Sequence, residues 1–179
     1  MAQEHTFFIY KDKGMSRRLR GKVAVELVFV ADRETVWTQE EMDDFYHTYR
    51  TATLDLSRQA AAAGVTLTFS TTVGRFLFSG KLHPGNVADC VEKKVYPQYL
   101  KKQGFDTNRT YVAVRKASWN ADEVAVIFVL ERHFRAFAMP GQDKEFCCLT
   151  QSDDVHAVAH ELLHLFGAID LISLTIFTA

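Results

Sequence analysis

Two strand-length runs of almost uninterrupted apolar residues constrain the fold of this chain most strongly. Residues 22–31 (KVAVELVFVA) are β-branched or apolar almost throughout, and residues 123–130 (EVAVIFVL) have the same character. Runs of this length and composition are typical of strands buried in a sheet. Residues 65–73 instead alternate between apolar and polar side chains, which predicts a strand buried on one face. Shorter strands are predicted at 111–114, 134–139 and 145–150.

Helices are predicted between these strands. Thr38 begins the capping-box pattern TQEE, apolar side chains then recur at helical spacing, and Gly64 closes the segment. A second helix is predicted at 84–103, with a possible break at Pro97. Ser152 is expected to cap a last helix that runs to about Phe166. This order predicts a single domain over residues 1–179 of the α/β (α+β) class, with a mixed sheet and backing helices.

Composition and charge exclude several classes of function. The chain has 179 residues, 47% apolar and 24% charged, with a formal net charge of -1. No basic stripe with interleaved aromatic residues is present, so a nucleic-acid partner is not expected. Neither a signal-peptide pattern nor an apolar run long enough to span a bilayer is visible. With three cysteines and no CxxC motif, we expect reduced, buried thiols and a cytoplasmic protein that does not bind membranes.

The stretch HELLHLFGAID, residues 160–170, carries the strongest functional pattern. Side chains four residues apart share one face of a helix, so His160 and His164 can present their imidazoles to one zinc ion. Glu161 can reach a water bound to that ion and act as its general base. His156 lies eight residues before His164, about 12 Å along a helix, and is expected to be a partly buried neighbour or an outer group rather than a ligand.

A catalytic zinc site normally has three protein ligands and one open position. Downstream of His164, Asp170 is the one side chain with a suitable donor, and Gly167 can turn the chain back toward the helix. The sequence therefore predicts a metal site at His160 and His164, and any third ligand downstream of the pair must be Asp170. A bare HExxH could be an ordinary helix surface, but the glycine and aspartate at these offsets make that interpretation much weaker.

The same eleven residues resemble the extended zinc motif of the metzincin metallopeptidases, HExxHxxGxx(H/D), in its aspartate-ending, snapalysin-type form. The resemblance implies that His160, His164 and Asp170 bind zinc and that Glu161 is general base and proton shuttle. It also implies a twisted mixed sheet, a long helix after the first strand, and an antiparallel edge strand at 135–139 that lines the substrate cleft. The sequence departs from the family downstream: no methionine follows Met139, no tyrosine follows Tyr111, and the chain ends nine residues past Asp170. A truncated or minimal C-terminal subdomain is therefore expected.

Two functions follow from these features. The first is a zinc-dependent endopeptidase acting on a peptide or protein substrate, with metal-activated water and Glu161 as base. The second is a catalytically inactive or truncated relative that binds peptides or proteins. Other hydrolase classes fit less well, because no glutamate follows Glu161 to serve as a gluzincin ligand and no GxSxG elbow is present. A thiol nucleophile at Cys147 or Cys148 is a generic alternative, and the pattern leaves the oligomeric state open.

Overall fold

A five-stranded mixed sheet forms the centre of the molecule. The computed structural model describes residues 19–131, 133–141 and 143–168. The strands are β1 (Gly21–Ala31), β2 (Leu67–Leu77), β3 (Glu123–Leu130), β4 (Phe137–Pro140) and β5 (Glu145–Thr150), in the spatial order β2-β1-β3-β5-β4. All neighbouring strands are parallel except β4, which runs antiparallel to β5 at one edge. This confirms the predicted mixed α/β class; the single domain predicted over 1–179 extends past the described residues at both ends.

The two apolar runs occupy the middle of the sheet, as their composition predicts. In β1, Val23, Val25 and Leu27 face one apolar cluster, while Ala24 and Val28 face the other, and β3 alternates in the same way. Both faces of these strands are therefore buried, which explains why their sequences show no polar alternation. The strand predicted at 65–73 exists but runs from Leu67 to Leu77, as an outer strand with mostly exposed side chains.

Helices α1 (Gln39–Ala62) and α5 (Val155–Leu165) cover one face of the sheet. The capping box is confirmed: the Glu41 amide donates to Thr38 Oγ1 at 3.2 Å, and the Thr38 amide donates to Glu41 Oε2 at 2.8 Å. These bonds satisfy amides that have no partner inside the helix. Gly64, with φ of +74°, follows the helix as predicted.

The opposite face is covered by a chain of short helical segments. A 3-10 turn (Pro84–Asn86), α2 (Val87–Cys90), a π-helical turn (Val91–Val95) and α3 (Tyr96–Lys102) follow one another without a loop. Pro97 lies at the start of α3. A proline there cannot donate to a carbonyl in the turn before it, and a π-helical turn is a common way to accommodate such an interruption. The predicted break at Pro97 therefore takes the form of a change in helical pitch.

One predicted strand is wrong. Residues 111–114 lie in the middle of helix α4 (Asn108–Trp119). The Thr107 hydroxyl accepts from the Thr110 amide at 3.2 Å, which caps the helix, and Asn120 in the left-handed region ends it. Tyr111 is fully buried against the sheet while Val114 is exposed. Packing of one helical face thus overrides the local β propensity of these residues.

A buried carboxylate joins this second helical layer to the sheet. Glu26 lies in the middle of β1 and is 6% exposed. The hydroxyls of Tyr99 on α3 and Tyr111 on α4 both donate to its Oε2, and Arg115 Nε lies 2.9 Å from its Oε1. A charge taken out of water needs such partners. Glu26, which interrupts the apolar run of β1, therefore links α3 and α4 to the sheet.

Candidate metal centre

The helix α5 carries both histidines of the zinc motif. Its N-cap is Asp154, whose carboxylate accepts from the Ala157 amide at 2.9 Å, and not Ser152 as predicted. Val158, Leu162 and Leu165 recur at helical spacing and are fully buried against the sheet. The apolar stripe fixes the rotation of the helix about its axis. That rotation leaves His160 and His164 half-buried, at the boundary between the core and solvent.

The C-terminal end of α5 has a Schellman arrangement. The Gly167 amide donates to the carbonyl of His164 at 2.9 Å, and the Ala168 amide donates to the carbonyl of Leu163 at 3.0 Å. Gly167 adopts φ of +89°, a region that side chains disfavour. This confirms that the glycine of the motif ends the helix and reverses the chain direction.

The two imidazoles converge. His160 Nε2 and His164 Nε2 are 2.9 Å apart, and the ring planes are nearly perpendicular at 86°. Two nitrogens bound to one tetrahedral zinc ion at 2.0–2.1 Å stand about 3.3 Å from each other. A separation of 2.9 Å is therefore within a small side-chain adjustment of the separation that zinc requires. The donor pair present in this chain fits the predicted ion.

A backbone carbonyl selects the tautomer of His164. Its Nδ1 lies 2.8 Å from the carbonyl oxygen of Ala168. Because a carbonyl oxygen can only accept, Nδ1 carries the proton in this contact. In a neutral imidazole the lone pair is then on Nε2, the atom that faces His160. Outer-shell contacts of this kind orient histidine ligands and increase their basicity.

Glu161 directly follows His160 on α5 and is 7% exposed. Its backbone carbonyl accepts from the thiol of Cys147, with 3.1 Å between Sγ and the oxygen. Cys147 lies on β5, so this contact ties the helix to the sheet at the position of the predicted general base. Such a tie limits movement of α5 relative to the sheet.

The two adjacent cysteines do not form a nucleophile. Cys147 and Cys148 are fully buried. Burial, followed by the nearby Glu161 charge, raises the pKa of Cys147 well above its ordinary value, and burial likewise raises the pKa of Cys148. A nucleophilic cysteine needs a lowered pKa and access to substrate. The structure therefore argues against the thiol alternative and confirms both residues as buried.

Asp170, the predicted third ligand, lies outside the described residues. Within 19–131, 133–141 and 143–168, no group of three or more histidine, cysteine, aspartate or glutamate side chains is assembled to hold a metal. The described part of the site therefore consists of His160, His164 and Glu161. His156, one turn earlier on α5, is exposed rather than partly buried, so that expectation is wrong.

Sequence reasoning missed two supporting groups of this site. The Ala168 carbonyl and the Cys147 thiol hold His164 and the Glu161 backbone, respectively. A glycine three residues past the second histidine indicates that the chain turns back there. It does not indicate which backbone carbonyl then contacts the imidazole of His164. For Cys147 the sequence carries no such indication, because the contact joins β5 to α5 through tertiary packing.

Comparison with known proteins leaves this site to be interpreted from its own chemistry. No family model matches the chain, and no curated protein or solved structure matches it either. In the part of the chain that the structure describes, no helix has the length and apolar character needed to cross a membrane.

Proposed function

We propose that this protein is a zinc-dependent peptidase of metzincin type, with His160, His164 and Asp170 as zinc ligands. The observation that carries the proposal is the 2.9 Å approach of the two Nε2 atoms, one helical turn apart, on the helix that also carries Glu161. The same distance allows a hydrogen bond between the two rings, so the support for zinc comes from this approach together with the Ala168 carbonyl that fixes the tautomer of His164. A purely structural zinc site, moreover, has no need of an adjacent carboxylate.

Each residue has a definite task in this proposal. Zinc bound at this position would supply Lewis acidity, lowering the pKa of water and polarising a substrate carbonyl. Glu161 accepts the proton of the attacking water and then passes it to the nitrogen of the leaving amine, so that one carboxylate serves both transfers. The Ala168 carbonyl keeps His164 in the metal-binding tautomer, and Cys147 holds the Glu161 backbone against the sheet.

The edge strand β4 is the proposed docking site for an extended substrate. It spans Phe137–Pro140, and within the described residues it pairs with β5 alone. Helix α5, which carries the histidine pair, packs against both β4 and β5. An extended peptide can add to such an edge through backbone hydrogen bonds. The substrate class is therefore a peptide or an unfolded protein segment.

The decisive experiment compares wild-type protein with Glu161→Gln, which keeps the size and shape of the side chain but cannot act as a base. Zinc content is measured by elemental analysis, and hydrolysis is measured with a quenched fluorescent peptide library. We expect both proteins to hold about one zinc per chain, and the variant to lose at least about 10²-fold in hydrolysis. Equal hydrolytic activity of the two proteins would contradict the peptidase assignment.

A second function is favoured if peptides bind without turnover. The free edge of β4 supports peptide binding whether or not the zinc site is complete. A catalytically inactive peptide-binding relative would bind library peptides with the same affinity in wild type and Glu161→Gln, and would hydrolyse none.

The placement of the three cysteines is the one expected for a protein of a reducing compartment. Cys90, Cys147 and Cys148 are all unpaired and buried. Because disulfides form readily in secreted proteins and rarely in the cytoplasm, we place the protein in the cytoplasm as part of this proposal.

A further inference from the structure

The outer strand β2 presents a long free edge on the side of the sheet opposite β4. It pairs with β1 over eleven residues, from Gly21 opposite Leu67 to Ala31 opposite Leu77. In the parts of the chain that the structure describes, β2 has no partner strand on its other side. Its sequence, LTFSTTVGRFL, contains no proline and a single charge. Proteins normally protect an edge of this length, because it is a template for pairing.

A groove of mixed polarity runs beside this edge, on the face covered by α1. Its lining side chains come from α1 and β2 and are Tyr46, Tyr49, Arg50, Thr53, Leu54, Ser57, Phe69 and Thr71. Leu54 in this groove is 46% exposed, and Val73 and Leu77, farther along β2, are 50% and 67% exposed. An unpaired edge and these exposed apolar side chains together fit an extended, apolar segment of chain.

We propose that residues 6–10 (TFFIY) occupy this edge as a sixth strand, antiparallel to β2. These residues lie outside the described part of the chain, which begins at Leu19. The chain enters β1 at the end of the sheet where β2 also begins, since the Gly21 amide donates to the Thr66 carbonyl at 2.6 Å. A segment that precedes this entry and runs along β2 toward it is necessarily antiparallel to β2.

The point of entry also lies on the correct face. Leu19 packs against the apolar cluster formed by α1, α5 and the sheet, which is the face that carries the groove. A segment leaving Leu19 in the N-terminal direction therefore starts on the same side as Tyr46, Leu54 and Phe69.

The intervening chain is long enough and has a suitable composition. Residues 11–18 (KDKGMSRR) are polar and contain Gly14, which permits a tight turn. Eight residues span up to about 26 Å when extended. The new strand would stand two strand spacings from β1, about 10 Å.

The side chains of residues 6–10 suit a half-buried edge strand. Phe7 and Ile9 would share one face of the strand and Phe8 and Tyr10 the other, because successive side chains alternate. One pair would fill the groove beside Tyr46 and Phe69. The other would cover the opposite side of β2, where Thr68, Ser70 and Thr72 are exposed. Few other segments of this chain have such concentrated aromatic and β-branched character.

Hydrogen exchange of the full-length protein tests this inference without reference to zinc or hydrolysis. In a two-sided strand all amides of β2 are protected, whereas in an edge strand about half of them face solvent. We expect full protection in wild type. The triple substitution Phe7→Ser, Phe8→Ser and Ile9→Ser should speed exchange of the outward amides of β2 by at least about tenfold, since they lose their partners. Exchange in β3 should stay unchanged and reports on the fold.

A matched control uses the other apolar terminal segment. The substitutions Leu171→Ser, Ile172→Ser and Leu174→Ser should leave exchange in β2 as in wild type. Faster exchange with these substitutions alone would assign the edge to residues 171–179 and overturn the proposal. Protection that appears only at high protein concentration, together with a dimer in sedimentation, would show that a second copy of the chain pairs with the β2 edge. That result would also overturn the proposal. If the outward amides of β2 exchange rapidly in wild type, no strand pairs with this edge and the proposal is overturned.

A second measurement does not depend on a destabilising variant. A nitroxide attached to Gln3→Cys can be introduced selectively, because the three native cysteines are buried. In the antiparallel arrangement residue 3 lies nearer the Leu77 end of β2 than its Leu67 end. We expect paramagnetic broadening of the Val73–Leu77 amide signals, with β4 unaffected. Broadening centred elsewhere on the molecule would contradict the sixth strand.

Discussion

The Nδ1 atom of His164 lies 2.8 Å from the carbonyl oxygen of Ala168, just beyond the glycine that ends α5. Gly167 makes this contact possible, because its φ of +89° turns the chain so that Ala168 comes back over the last helical turn. The backbone conformation of one glycine therefore determines which nitrogen of His164 is protonated.

A substitution of Gly167 should lower both the free energy of unfolding and the affinity for zinc. Among residues 19–131, 133–141 and 143–168, and apart from its chain neighbours, no heavy atom lies within 4 Å of a Cβ built on Gly167, so the cost of Gly167→Ala comes from its positive φ. We expect a loss of about 1 kcal/mol in the free energy of unfolding and a weaker zinc affinity, as the Ala168 carbonyl shifts. Urea denaturation and a zinc competition titration measure the two effects.

Gly64 provides the matched control for this substitution. It follows α1 with φ of +74°, and in the described part of the chain no heavy atom other than those of its chain neighbours lies within 4 Å of a built Cβ. Gly64→Ala should cost a similar free energy of unfolding and leave zinc affinity unchanged. Equal zinc affinities in the two variants would contradict the role assigned to the Ala168 carbonyl.

Zinc content should depend on three residues of the motif and not on a nearby histidine. We expect about one zinc per chain in wild type, and a loss of zinc in His160→Ala, His164→Ala and Asp170→Ala, measured by elemental analysis. His156→Ala is the control, since His156 is exposed on the same helix. Because histidine ligands must be neutral to bind, zinc should also be released as the solution is acidified.

Removal of zinc provides a second check on the same site. Chelation should lower the melting temperature of wild-type protein, because a ligand that binds only the folded state stabilises it. The His160→Ala protein should melt at the same temperature with and without chelator. A chelator effect of equal size in both proteins would place the metal elsewhere.

The buried ion pair on the other face of the sheet should contribute strongly to stability. The side chain of Glu26 is only 7% exposed. Arg115→Ala would leave this carboxylate with its two tyrosine donors but without a positive charge beside it. We expect a loss of about 3 kcal/mol in the free energy of unfolding. Arg58→Ala is the control, because Arg58 pairs with Asp55 at 3.1 Å with side chains that are 77% and 45% exposed. That change should cost less than about 1 kcal/mol. Similar losses in both variants would contradict the assignment of Glu26 as the link between these helices and the sheet.

Alkaline pH should destabilise the fold through buried tyrosines. Burial is the main cause that raises the pKa of Tyr49, Tyr96, Tyr99 and Tyr111 above its usual range. The folded protein therefore holds these protons while the unfolded chain loses them above about pH 10. Stability from this source is complete below that pH and is lost as the pH rises.

Each tyrosine should contribute a slope of about 1.4 kcal/mol per pH unit. Urea denaturation between pH 8 and pH 11 measures the slope directly. In Tyr49→Phe, one ionisable group is absent and the slope above pH 10 should be smaller by that amount. An unchanged slope would show that Tyr49 does not take part in the alkaline transition.

Local chemistry in the sequence determined several parts of this protein. Strands β1 and β3 follow from continuous apolar runs, and α1 follows from a capping box and a glycine, because each of these features acts within a few residues. The same holds for the histidine pair, since a spacing of four residues places two side chains on one face of any helix.

Tertiary packing decided the rest, because it joins residues that are far apart in the chain. Residues 111–114 have β propensity, yet they form part of α4, since burial of Tyr111 against the sheet and the Thr107 cap outweigh that preference. The tyrosine partners of Glu26 come from 73 and 85 residues away, and the thiol that contacts the Glu161 carbonyl on α5 comes from strand β5. The strand order β2-β1-β3-β5-β4, which leaves β2 and β4 at the edges, likewise depends on pairing that no local pattern encodes.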